Sequence, residues 1–166
     1  MTEKPVAVKP HLPNPALPGA NWADCYEIRV HAPELTVTEA ARMAVGRFPF
    51  WVRLLIRVRN AVTNLAGLKP STYHSPAKIE MIGIFPIVSR SDREIVLGFD
   101  DRHLDFRIVI DVGDVDAGHK LVSVTTLVNR KILLGRIYIA VVTPFHKLIV
   151  LSILSKLGRK LAPVNR

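Results

Sequence analysis

The stretch Glu94-Ile95-Val96-Leu97-Gly98-Phe99-Asp100-Asp101-Arg102-His103-Leu104-Asp105-Phe106-Arg107-Ile108-Val109-Ile110-Asp111-Val112 decides the fold class. Two runs rich in β-branched and aromatic residues flank the polar pair Asp100-Asp101, which reads as a turn between strands. In the second run Asp101, His103, Asp105 and Arg107 share one face, and Leu104, Phe106 and Ile108 share the other. One face can line a core, and so short a connection implies antiparallel pairing.

The same pattern continues on both sides. Met81–Ser89 precedes it, with Pro86 marking a bulge or an edge. Leu121–Arg130 follows it after the polar stretch Gly113–His119. An antiparallel meander results, to which Asp24–Val30 adds a strand with Tyr26, Ile28 and Val30 on one face and Cys25, Glu27 and Arg29 on the other. Thr36 or Thr38 can cap a short helix that runs to about Val45 and ends at Gly46. A second helix is expected over Pro49–Leu65, with Trp51, Leu54, Leu55, Val58, Ala61, Val62 and Leu65 on one face.

From Leu133 to Leu161 the period becomes helical. Leu134, Tyr138, Val141, Phe145, Leu148 and Ser152 form a stripe expected to face the sheet, with a kink at Pro144. Only ten uncharged residues separate Arg136 from Lys147. A span needs about 20 apolar residues, so the segment reads as a buried helix. Residues 1–16 hold four prolines and read as an extended arm, 17–162 as one α+β domain, and 163–166 as a tail.

Composition narrows the function classes. One cysteine, Cys25, excludes an internal disulfide and a multi-thiolate metal site. No apolar leader follows Met1, so a cytoplasmic location is expected. The net charge of +9 is uneven: Lys120–Arg166 carries nine bases and no acid, while residues 79–119 carry nine acids and four bases. Such segments can form complementary surfaces within one fold or a basic patch for phosphate or anionic lipid. Nucleic acid is not expected as a partner, because the basic helix lacks interleaved aromatics.

Several stretches resemble a known family. They are Leu17-Pro18-Gly19-Ala20-Asn21-Trp22-Ala23-Asp24, Ile82-Gly83-Ile84-Phe85-Pro86, Leu97 through Arg107, and Gly135-Arg136-Ile137-Tyr138 with Val142-Thr143-Pro144-Phe145-His146. Together they resemble the bacterial family called domain of unknown function 2867. The order of elements is similar to the helix-grip fold of the START/Bet v 1-like (SRPBCC) superfamily, a curved antiparallel sheet packed on a long C-terminal helix. The resemblance implies a pocket between sheet and helix. Members of the wider superfamily bind lipids, hormones and polyketides, and some are cyclases.

The residues leave three functions open. The first is a non-enzymatic protein holding a small hydrophobic ligand between sheet and helix, on Leu104, Phe106, Tyr138, Val141, Phe145 and Leu148, with Arg107 for a polar end. The second is an enzyme on that pocket, using His103 with Asp105, or Tyr138 with His146, for acid–base chemistry. The third is a module docking on anionic membrane through Arg53, Arg57 and Lys156–Lys160. Beside them stand plainer roles: ion pairs on a solvated strand face for His103, Asp105 and Arg107, and a structural histidine for His146. No cofactor is expected, nor a metal, since no paired ligand spacing occurs.

Overall fold

The turn at Ala117-Gly118 joins the two longest strands of the sheet. In this computed structural model residues 3–46, 80–100 and 104–162 are described. The strands are β1 (Val6–Val8), β2 (Trp22–His31), β3 (Met81–Ile82), β4 (Phe85–Arg90), β5 (Glu94–Asp100), β6 (Leu104–Asp116) and β7 (His119–Arg130). They form one antiparallel sheet in the order β1-β2-β7-β6-β5-β4-β3. The chain is thus α+β, with a meander from β3 to β7 that closes back onto β2.

Helix α1 (Val37–Val45) begins at the capping box in which Thr36 Oγ1 accepts from the Glu39 amide and the Glu39 carboxylate accepts from the Thr36 amide. Helix α2 (Leu133–Lys160) lies over β2 and β7, and α1 lies over β3, β5 and β6. Ile28, Ile95, Leu97, Ile110, Val122, Leu154 and Leu157 fill the space between sheet and helices. That helix-facing side is the inner face; the other is the outer face.

Several expectations are corrected. Part of the expected arm is a strand, because Val6–Val8 pairs with Cys25–Glu27 along the edge of β2. Leu17 packs on the outer face against Val96, Val109 and Leu127. Met81–Ser89 is two strands, split by a turn at Gly83 whose φ of 63° and nearness to the Val45 carbonyl leave no room for a Cβ. Gly46 ends α1 as expected, in the right-handed region. The helix expected over Pro49–Leu65 lies outside the described residues, as do Asp101, Arg102 and His103.

The largest correction concerns α2. Val141, Phe145 and Leu148 point to solvent. The stripe that packs is Ile139, His146, Val150, Leu154 and Leu157. The helix is apolar on both sides over much of its length, so periodicity could not choose between them. Nor is its first half a buried helix: only 17% of the most apolar window of Gly135–Lys160 is buried, and by length and composition that segment could cross a membrane.

Candidate functional site

Alternation along β2 places Trp22, Asp24 and Tyr26 on the inner face. On β7 the same rule places Val124, Thr126 and Val128 there, and Asp24 pairs with Thr126. A carboxylate and a hydroxyl therefore sit side by side beneath α2, between the main core and a smaller cluster of Leu104, Val128 and Ile139. The α2 residue directly above them is His146.

Its Nε2 lies 3.2 Å from Asp24 Oδ1 and 3.0 Å from Thr126 Oγ1, with side-chain exposures of 19% for His146 and 17% for Asp24. Trp22 meets the imidazole edge-on at 5.9 Å between ring centres. The carboxylate favours a proton on Nε2, leaving Nδ1 as the basic nitrogen. Burial, then the Asp24 carboxylate, push the Tyr26 hydroxyl up, so it stays a neutral hydrogen-bonding partner of Asp24. Pro144 sits in the turn above; Thr143 Oγ1 donates to the Ile139 carbonyl at 2.6 Å.

Beside this polar group runs an aromatic row. Phe106 stacks at 5.7 Å on Phe85 and 5.6 Å on Phe99, and belongs with Trp22 and Tyr138 to the rim of the Leu104–Val128–Ile139 cluster. Phe99, Phe106, Trp22 and Tyr138 are each only half-buried. The arrangement offers an apolar strip with a few polar groups at one side.

The expected site residues divide accordingly. Leu104, Phe106 and Tyr138 come together on the inner face, with His146 close to Trp22. Val141, Phe145 and Leu148 do not join them. Asp105 and Arg107 are on the outer face, so neither meets His146. Asp105 is held by Lys131 at 2.6 Å, and Arg107 by Asp100 at 2.7 Å and the Phe99 and Phe106 carbonyls. Among the described residues no group of three or more His, Cys, Asp or Glu is placed to hold a metal ion. An open cleft of about 650 Å³ lies at the other end of the β2–β7 pair, lined in part by Glu34, Thr36, Arg90 and Lys120. It contains none of the expected site residues.

Sequence reasoning missed Trp22, Asp24 and Thr126. The available signal was Asp24 itself, a carboxylate in phase with Tyr26, Ile28 and Val30. A charge on the core side of a strand needs a partner.

Asn21 shows why the stretch leading into β2 and the end of β7 belong together. Its side-chain oxygen accepts from the Arg130 amide at 3.0 Å and from Arg130 Nε at 2.8 Å. The stretch ending in Asp24 and the one ending in His146 meet at the polar group under α2. No curated protein and no solved structure matches the chain. The family described as a protein of unknown function, DUF2867, matches residues 16–153, most of the chain. With these stretches joined in one fold and matched over that length, the chain belongs to the DUF2867 family.

Proposed function

We propose that the chain binds a small hydrophobic ligand along the inner face, between the sheet and the first half of α2. One observation carries the reading: the half-buried aromatic row of Phe99, Phe106, Trp22 and Tyr138 runs up to the His146–Asp24–Thr126 group. Half-covered aromatic surface gains free energy when an apolar chain completes the cover, at about 25 cal/mol per Å². The ligand class is amphiphilic, with an apolar body on the aromatics and a hydrogen-bonding end at His146.

The test is titration with a fluorescent polyene fatty acid. Saturable binding to the wild type is expected, weakened at least tenfold in Phe106→Ala (~1.4 kcal/mol per tenfold) and unchanged in Leu148→Ser. No saturable binding, or loss in Leu148→Ser with retention in Phe106→Ala, would overturn the reading.

The His–carboxylate contact favours a second reading, an enzyme on the same site with His146 as general base oriented by Asp24. Hydrolysis of a short-chain nitrophenyl ester that disappears in His146→Gln, while fatty-acid binding persists, would support it. Equal hydrolysis by both proteins would eliminate it.

A further inference from the structure

We propose that the outward face of α2 docks on an anionic lipid bilayer. Leu133, Ile137, Val141, Phe145 and Leu148 lie on that face and are between 47% and 70% exposed. Spacings of mostly four residues align them into one stripe. An apolar strip of this length on a soluble surface marks a contact site.

Charge selects the occupant. Arg136 and Lys147 are exposed along one edge of the stripe, and Lys156, Arg159 and Lys160 continue exposed beyond its end. From Lys120 to Arg166 there is no acidic residue. A second copy apposed through this face would set these bases against one another. A bilayer with anionic headgroups takes the apolar side chains into the acyl boundary and neutralises the bases at the same depth. The helix lies flat and does not span. Its other stripe, Ile139, Val150, Leu154 and Leu157, is packed in the protein, and the His146–Asp24 pair on that side needs its polar partners.

This surface is opposite the one that holds the proposed ligand, so the two proposals stand or fall separately. The test is flotation of the full chain with vesicles of phosphatidylcholine, with and without about one-third phosphatidylglycerol. The wild type is expected to float with the anionic vesicles alone, and less as salt rises. Val141→Ser with Leu148→Ser, and separately Arg136→Glu with Lys147→Glu, are expected to lower binding at least about tenfold with an unchanged melting point. Three outcomes overturn the proposal: equal flotation with neutral vesicles, flotation indifferent to both variants, and alkali-resistant insertion. So does a dimer that the Val141→Ser, Leu148→Ser pair disperses in a chain that never floats, which would assign the face to a second copy.

Discussion

On β6, Ile108, Ile110 and Val112 point toward the helices while Asp105, Arg107 and Val109 point away, and all six expose at most 9% of their surface. The two sets are hidden by different means. The inner set is covered by α1, α2 and apolar contacts from the neighbouring strands. On the outer set, Val109 lies under the segment around Leu17, and the charges of Asp105 and Arg107 are met by Lys131 and Asp100. Burial by helices depends on filled volume; burial of a charge depends on every partner staying in place.

The sharpest test of that difference is a pair of truncations at adjacent positions. Ile110→Ala empties space in the main core and should cost about 2–5 kcal/mol. Val109→Ala, one residue away on the thinner outer cluster, should cost about 1–2 kcal/mol at roughly 0.8 kcal/mol per buried CH₂. Urea denaturation measures both. Equal losses would show that the outer segment packs as firmly as the helices.

Sequence alternation fixed these faces well. It separated Leu104, Phe106 and Ile108 from Asp105 and Arg107, and Tyr26, Ile28 and Val30 from Cys25, Glu27 and Arg29, as the structure has them. Strand periodicity succeeds because the pleat allows two directions only. It failed on α2, where both stripes are apolar and the packed one includes a histidine. It also said nothing of depth: Arg107 on a polar face reads as solvated, yet its guanidinium lies against β5 at Gly98, where a Cβ would fall 2.0 Å from the Phe106 carbonyl oxygen. That cover comes from across the β5–β6 hairpin, from Phe99 and Asp100, and alternation along one strand carries no information about it.

Arg107 therefore probes the polar half of the comparison. Arg107→Ala strips the Phe99 and Phe106 carbonyls of a donor and Asp100 of its partner. A loss of about 1–3 kcal/mol is expected. Arg107→Lys should recover under half, since one ammonium cannot reproduce the planar fork. Full recovery in thermal unfolding would mean that charge alone matters there.

Removing residues 1–9 tests the edge. The deletion takes away β1 and uncovers the Cys25–Glu27 edge of β2. Because β1 is short and largely exposed, the expected loss is about 1 kcal/mol, a fall in melting temperature of ~2–4 °C. An unchanged midpoint would show that the ladder contributes nothing.

The smallest effect has the opposite sign. Asp111 is half-buried on the outer face, in a row where Glu94 pairs directly with it and Glu27 lies across Ser123. Burial first, then these two carboxylates, raise its carboxyl from 3.8 to about 6. The folded chain thus holds the proton more tightly than the unfolded one. Below about pH 3 Asp111 is neutral in both states and costs nothing. As pH rises from about 4 through 6 the unfolded chain ionises first, and stability falls; above that the penalty is constant. A shift of about two units corresponds to ~3 kcal/mol, and solvent screening at a half-buried site reduces this to about 0.5–1 kcal/mol. Asp111→Asn removes the charge and keeps the shape. It should be more stable than the wild type by that amount at pH 7–8 and indistinguishable from it near about pH 3. Urea midpoints across that range decide the matter. A variant that is less stable at pH 7 would mean that the Asp111 carboxylate has a cation that the row of acids does not reveal.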